Sequence, residues 1–185
     1  KMVELTHLQG GGSDSRAKIT FKGTGAGFEA CKRVVEVMMD KDAVCQQEPC
    51  SFAGVYQPSL MSTFAEAPII ALSYFYDRLA PLGLDSTFTI GQLASLAKDV
   101  CKAPSTWPAR FPVDEYPEAL RELEDRPETC LDLTFMHGLL TLGYELGDKR
   151  SITVAKKLGG TELGWALGAQ LAVLEEEGVL CRTGR

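Results

Sequence analysis

The sequence predicts a helix-rich α/β domain supported by disulfide bonds, on three observations. Apolar residues recur at helical spacing in several segments, and two of these segments begin with capping-box signatures. The short segments "KITFK" (residues 18–22) and "ITVA" (residues 152–155) favour strands, although a short helix stays open for the second. Six cysteines in 185 residues favour an oxidising compartment.

The first elements are predicted as follows. Residues 1–17 are polar and rich in glycine, which indicates an exposed connection before the "KITFK" strand. "GTGAG" (residues 23–27) then indicates a turn, and a phosphate loop is less favoured because the Lys-Ser/Thr ending of a Walker loop is missing. An amphipathic helix should follow and end before Cys45. Its inner face is expected to be Phe28, Cys31, Val34, Val35 and Met38.

The middle of the chain contains both capping boxes. Thr63 and Glu66 predict the start of a helix that runs through "TFAEAPIIALSYFYDRLAPLG" (residues 63–83). Thr89 and Gln92 predict a second helix that ends before Pro104.

The last third is predicted as a loop, two helices, a strand and a closing helix. Residues 104–117 carry four prolines and indicate a loop, and a helix is expected at residues 118–124. "PETCLDLTFMHGLLTLGYELG" (residues 127–147) indicates a longer helix, and its inner face is expected to be Leu131, Phe135, Leu139 and Leu142. The closing helix should begin at about Thr161.

Charge and apolar run length argue against two classes of partner. The net charge of −6 and the scattered lysines and arginines disfavour a general nucleic-acid binder. No run reaches the roughly 18 apolar residues that a membrane helix needs, so we expect no membrane segment here and any anchor or signal outside this chain.

Candidate chemical groups are few. Cys45 and Cys50 flank a short loop and suit a disulfide better than zinc, because the chain contains only two histidines. His137 lies among apolar residues and is expected to be a core histidine rather than a ligand or base. No serine has an evident His and Asp partner for a nucleophilic triad.

Three successive aromatic residues occur in "SYFYDR" (residues 73–78). Consecutive side chains on a helix diverge by about 100 degrees, so Tyr74, Phe75 and Tyr76 cannot all face one core. At least one should meet another lobe, a loop or a planar ligand such as a nucleobase.

These segments together resemble a known family. "GTGAGFEAC", "CSFAGVYQPSL", "LSYFYDR", "CLDLTFMHGLLTLGYEL" and "ELGWALGA" occur in this order between Lys22 and Leu174. In order and spacing they resemble the C-terminal half of the apyrase-type nucleoside phosphatases, most like the Golgi guanosine-diphosphatase kind.

The resemblance implies a fold and an activity. The fold would be the helix-rich C-terminal lobe of an actin-like, ribonuclease H-type structure of two lobes. Residues 1–17 would be a connection, 18–150 the nucleotide-base-binding lobe and 151–185 a returning segment with the last conserved apyrase region. The complete enzyme would use Ca or Mg and an activated water to cleave the terminal phosphate of a nucleoside diphosphate.

The resemblance also implies roles for single residues. Trp165 would lie beside the phosphates and help hold the water shell of the metal, with no direct metal ligand from this chain. Tyr76, Asp77, Arg78 and Arg126 would contribute to the base site. Thr129 stands where the triphosphate-cleaving branch has tyrosine, which favours a diphosphatase.

Disulfide pairs follow from the same resemblance. They are Cys45 with Cys50 and Cys101 with Cys130, whereas Cys31 would pair upstream of the matching region and Cys181 has no evident counterpart. A luminal location in the secretory pathway is implied.

Conserved parts of the family are also missing from the sequence. The phosphate loops and the principal catalytic base do not occur in these 185 residues. We therefore expect a piece of a larger enzyme, inactive without its N-terminal lobe. The alternative is a non-catalytic interaction module derived from that lobe.

Glycines surround the tryptophan in "GGTELGWALGAQLAVL" (residues 159–174). An interior helical glycine costs about 1 kcal/mol relative to alanine. Gly164 and Gly168 lie one turn apart, and with Gly160 they are expected to form a stripe without side chains, where a backbone or a phosphate approaches closely. A plain helix-packing stripe stays open.

Overall fold

A computed structural model describes residues 2–7, 17–22, 25–162 and 165–176. The strands are β1 (Met2–His7), β2 (Ala17–Lys22), β3 (Ile70–Leu72), β4 (Thr87–Thr89), β5 (Ser151–Ala155), β6 (Lys157–Leu158) and β7 (Thr161–Glu162). The helices are α1 (Gly27–Met39), α2 (Leu60–Thr63), α3 (Tyr74–Leu79), α4 (Ile90–Val100), α5 (Trp107–Arg110), α6 (Ala119–Asp125), α7 (Thr129–Gly138) and α8 (Trp165–Glu176). A π-helical turn, Leu139–Gly143, continues α7. The described part of the chain is therefore mixed α/β, as predicted.

A three-stranded sheet forms one layer, with β5 between β3 and β4. β3 runs parallel to β5, and β4 runs antiparallel to it. Because side chains alternate along a strand, Ile152 and Val154 of β5 and Phe88 of β4 are buried on the same side. That side of the sheet faces the main apolar core.

The second layer is helical, with α7 packed against both α1 and α4. Leu133, Met136 and Leu140 are buried there, together with Phe28 of α1 and Leu93 of α4. The capping box predicted for α4 is confirmed: the Thr89 hydroxyl accepts from the backbone N–H of Gln92, whose side chain accepts from the N–H of Thr89.

The single helix predicted over residues 63–83 is wrong. The chain instead forms α2, β3, α3 and a short 3₁₀ turn, and Ser59 rather than Thr63 caps α2. Pro68 has no N–H to donate within a helix. The Arg150 guanidinium donates to the carbonyls of Phe64, Ala65 and Ala67, which takes these acceptors away from a helix. β3 then gains backbone hydrogen bonds from β5, which lies 80 residues or so further along the chain.

Both predicted inner helix faces were partly wrong. On α1, Val34 is 53% exposed and Met38 is 62% exposed, whereas Phe28, Val35 and Met39 are buried. On α7, Leu131 is 43% exposed, and Phe135, Leu139 and Leu142 are only partly buried. The α7 segment is apolar on all sides, so the spacing of its apolar residues did not identify the face that packs against α1 and α4.

Other predictions are met with small differences. The strands at 18–22 and 152–155 and the helix at 118–124 appear, with small shifts at their ends. The turn expected over residues 23–27 falls partly on residues 23 and 24, which lie outside the described residues. The connection expected over residues 1–17 contains β1, which pairs with β2 in an antiparallel hairpin. The loop expected over residues 104–117 contains a 3₁₀ turn and α5.

The C-terminal segment starts with β5 and continues through the β6–β7 hairpin into α8. The predicted boundary between residues 150 and 151 therefore falls directly before the central strand of the sheet. Gly160 lies in the hairpin turn at φ +82° rather than at the start of the helix, because α8 begins only at Trp165.

Both expected disulfides are present. Cys45 is bonded to Cys50, and Cys101 at the end of α4 is bonded to Cys130 in α7. Among the described residues, Cys31 of α1 forms no disulfide, and its Sγ lies 3.6 Å from Sγ of Cys130. The Cys101–Cys130 bond thus fixes the two helices of the core layer, and a third sulfur lies beside it. Cys181 lies outside the described residues.

Candidate functional site

The "SYFYDR" segment forms the junction between β3 and α3, at the carboxyl end of two parallel strands. Leu72 of β3 pairs in register with Ala155 of β5, so both strands end at the same edge of the sheet. Ser73 follows at φ +50° and ψ −109°, a conformation that non-glycine residues rarely adopt. In open α/β sheets, ligands bind outside the carboxyl ends of the strands. The structure therefore places this predicted site segment at a typical ligand-binding edge.

Tyr76 contributes to a cavity at this edge. The cavity has a volume of about 370 Å³ and is lined by Tyr76, Val154, Ala155, Lys156 and Lys157. Tyr76 is half-buried, with part of its side chain against the core and part against the cavity. Of the three aromatic residues in the segment, Tyr76 is the one that lines this cavity.

Arg78 and Tyr74 form a different group on the side of α3 that meets α7. The Arg78 Nε donates to Oδ2 of Asp132 at 2.9 Å, and the guanidinium lies 4.9 Å from the centre of the Tyr74 ring. Burial raises the pKa of Tyr74 to about 12. The Asp132 carboxylate adds to this rise in pKa, and Arg78 opposes it. The predicted Arg78 is therefore engaged by a carboxylate within the chain.

The remaining predicted base-site residues lie apart from the cavity. Asp77 is exposed on α3. Arg126 is placed between two carboxylates, with Nη2 3.4 Å from Glu128 and Nε 3.5 Å from Glu122. Its Nε makes no hydrogen bond within the described residues. Neither residue lines the cavity that Tyr76 lines.

Thr129 and His137 both have structural contacts on α7. The Thr129 hydroxyl donates to the carbonyl of Arg126 at 2.7 Å and is buried. His137 is buried against the edge of the Phe28 ring, at 6.0 Å between ring centres. Burial lowers the pKa of His137, with a smaller lowering by Lys32 and Lys98 and an opposing effect of Asp148. A core position, as predicted, accounts for this histidine.

The tryptophan and glycines of the last conserved region are described only in part. Trp165 begins α8, and Gly164 lies outside the described residues. A Cβ added to Gly168 would meet nothing within 4 Å of it. The close approach expected at Gly168 therefore has no partner among the described residues.

In residues 25–162 and the other described ranges, no three His, Cys, Asp or Glu side chains converge to hold a metal ion. No helix in those ranges is both long and apolar enough to cross a bilayer.

Sequence reasoning missed Asp132 and the lysine pair. Asp132 appears in the sequence only as an acidic residue in an apolar helix, a pattern that suggests a buried partner. Lys156 and Lys157 directly follow a buried strand, and adjacent cations at the end of a parallel strand are a usable signal for an anion.

Comparison with known proteins identifies the family. Residues 2–182 match the GDA1/CD39 (nucleoside phosphatase) family. The guanosine-diphosphatase of Schizosaccharomyces pombe is 46% identical over 147 residues, which are 80% of this chain and 26% of that protein. The probable guanosine-diphosphatase of Aspergillus fumigatus is 42% identical over 185 residues, which are 98% of this chain and 36% of that protein.

A more distant relative is the mouse ectonucleoside triphosphate diphosphohydrolase 3. It is 26% identical over 88% of this chain and 29% of that protein. The chain thus spans about a quarter to a third of the length of these relatives. These matches confirm the resemblance inferred from the five motifs. The chain belongs to the GDA1/CD39 (nucleoside phosphatase) family.

Proposed function

We propose that this chain supplies the nucleotide-base-binding lobe of an apyrase-type nucleoside diphosphatase. The complete enzyme would hydrolyse a nucleoside diphosphate such as GDP or UDP to the monophosphate and phosphate. The observation that carries the proposal is the 42–46% identity to proteins named as guanosine-diphosphatases over 80–98% of this chain.

The lobe would belong to an actin-like, ribonuclease H-type fold of two lobes. Three observations support this: the mixed α/β architecture, the limited share of the relatives that the chain covers, and the surface of α8. Leu171, Val173 and Leu174 of α8 are exposed in the described structure. A helix that is apolar on all sides is normally buried, so α8 supports contact with the absent N-terminal lobe.

Residues of both lobes would contact the nucleotide. Tyr76 would contact the base, with Asp77 and Arg126 at the rim of the site. Arg78 would hold α3 to α7 through Asp132 and so orient Tyr76. Trp165, with Gly164 and Gly168 beside it, would face the phosphates. The principal catalytic base would come from outside this chain.

The enzyme would need Ca or Mg, which supplies charge stabilisation and an activated water in phosphate hydrolysis. The resemblance to the apyrase family implies that parts of the enzyme beyond this chain would hold the metal. The two disulfides support a location in the oxidising lumen of the secretory pathway.

Calorimetry on the folded 185-residue chain tests the base site, using GDP, UDP and ADP as ligands. Base–aromatic stacking contributes about 1–3 kcal/mol, so Tyr76→Ala should weaken binding by roughly fivefold to over a hundredfold. Tyr56→Ala is the control, because Tyr56 is 49% exposed and does not line the cavity. Equal affinity of both variants would reject the base-site assignment.

An activity assay tests whether hydrolysis requires the phosphate loops, which this chain does not contain. The chain with GDP and Ca or Mg should release no phosphate at an enzyme-like rate, whereas a protein that also contains the phosphate loops should do so. Metal-dependent release by this chain alone would contradict the proposal. A longer protein that stays inactive would favour the non-catalytic interaction module.

A further inference from the structure

The cavity beside Tyr76 combines an aromatic surface with two cations. Lys156 leaves the end of β5, and Lys157 begins β6, so both lysines lie where the two parallel strands end. Among the described residues, no carboxylate side chain lines the cavity. It is an open cleft with a volume of about 370 Å³, so a ligand bound there would stay partly exposed to solvent.

The two lysines differ from several others in the described residues because no carboxylate oxygen contacts them, although Glu162 lies opposite Lys157 in the β6–β7 pairing. Lys32, Lys41 and Lys102 each lie within 2.8 Å of a carboxylate oxygen. Across residues 25–162 and the other described ranges, neither Lys156 nor Lys157 has a carboxylate within 4.0 Å. In a chain with a net charge of −6, two adjacent ammonium groups that no described carboxylate contacts form a local positive region that attracts an anion, and Glu162 opposite Lys157 reduces but does not neutralise it.

A nucleotide contains two groups that would complement the aromatic ring and the two ammonium groups of this cavity. Its base presents a planar face to an aromatic ring, and its phosphates accept charge-assisted hydrogen bonds from ammonium groups. We propose that Lys156 and Lys157 bind phosphate oxygens of the nucleoside diphosphate whose base or sugar contacts Tyr76. This inference rests on the proposed nucleotide site and adds two specificity-determining residues to it.

The proposal predicts that the lysines discriminate among ligands by phosphate content. Guanosine lacks phosphate and should bind independently of them, whereas GDP should depend on both. The lysine–phosphate interaction is between solvent-accessible charges, so added salt should weaken it. The affinity of the wild-type chain for GDP should therefore fall more with salt than the affinity of a variant without the two lysines.

The test is calorimetric titration of the 185-residue chain with GDP and with guanosine. The double variant Lys156→Gln/Lys157→Gln should bind GDP about tenfold more weakly, or ~1.4 kcal/mol, and guanosine unchanged. Lys149→Gln is the matched control, because Lys149 is exposed but does not line the cavity. Lys156→Arg/Lys157→Arg retains both charges and should bind GDP nearly as the wild type does.

The possible results separate this inference from the proposed base site. If the Gln double variant binds GDP as the wild type does while Tyr76→Ala weakens it, the lysine assignment is overturned and the base site stands. If the lysine variant loses GDP affinity and Tyr76→Ala does not, the phosphate contact stands and the base assignment falls. Equal losses for GDP and guanosine overturn the phosphate role, as does a folded wild-type chain that binds neither ligand.

Discussion

Arg78 and Asp132 join α3 to α7 through an ion pair of 2.9 Å between Nε and Oδ2. Their side chains are only 18% and 16% exposed, so solvent replaces the interaction poorly when one partner is removed. The pair also places Arg78 over the Tyr74 ring. It therefore fixes the orientation of the helix that carries Tyr76.

Asp132→Ala should lower the free energy of unfolding by about 2–3 kcal/mol. Without Asp132, the charge of the largely buried Arg78 has no partner, which destabilises the folded state. Breaking a fully buried ion pair costs about 3–5 kcal/mol, and we expect a smaller loss here because both side chains are partly exposed. Urea denaturation measures the change. Asp77→Ala is the control, because Asp77 is exposed on α3, the helix of Arg78, and its loss should cost less than about 0.5 kcal/mol. Equal losses in both variants would show that the ion pair contributes little.

The limits of the sequence prediction have identifiable physical causes. The Thr89 capping box was found because it depends on residues three positions apart. β3 was missed because its strand pairing is to β5, far along the chain, and because Arg150 takes the carbonyls that a helix would use. In the candidate site, the family motif indicated both Tyr76 and Arg78, and the structure shows that a carboxylate on another element engages Arg78. Such long-range partners have no local sequence signal.

The Cys101–Cys130 disulfide should stabilise the chain more than the Cys45–Cys50 disulfide does. The cysteines are separated by 29 residues in the first bond and by 5 in the second. Loop-closure entropy then gives ~3.6 kcal/mol for the longer loop and ~2 kcal/mol for the shorter one. Denaturation of Cys101→Ala/Cys130→Ala and of Cys45→Ala/Cys50→Ala under non-reducing conditions compares the two. A larger loss in the second variant would contradict this order.

The single variant Cys101→Ala should form a new disulfide between Cys31 and Cys130. Their sulfurs are already 3.6 Å apart, and α1 packs directly against α7, so little movement is needed. With glutathione disulfide as oxidant, both thiols are oxidised to the bond and two glutathione thiols form. Peptide mapping by mass spectrometry detects the link. A Cys130 that stays a thiol or stays glutathionylated would contradict the prediction.

Acidification should destabilise the chain through His137. Burial lowers the pKa of His137 below the ordinary value of 6.5, so below that pH the unfolded chain binds more protons than the folded one. The stability that the neutral imidazole provides is present above about pH 6.5 and declines as the pH falls towards the lowered pKa. Comparing the free energy of unfolding of the wild type and His137→Gln from pH 7.5 to 5 isolates this effect. Parallel pH profiles would contradict it.

Alanine at Gly138 and at Gly168 should have opposite effects, although both glycines are helical. A Cβ at Gly138 would lie 2.5 Å from Cγ1 of Val35, whose branched side chain is buried between α1 and α7. Overpacking of this kind costs about 1–3 kcal/mol, which exceeds the helical gain of ~1 kcal/mol, so Gly138→Ala should destabilise the chain. A Cβ at Gly168 meets no described atom within 4 Å, so Gly168→Ala should increase the helicity of α8 in this chain.

The Gly168 variant also distinguishes the two interpretations of the glycine stripe. Circular dichroism of the 185-residue chain measures the helical gain, and phosphate release by the longer enzyme measures the effect of a side chain at this position. If the stripe allows a close approach by the other lobe or a phosphate, Gly168→Ala will raise helicity here and lower activity there. If activity is unchanged while helicity rises, the glycine serves no close contact.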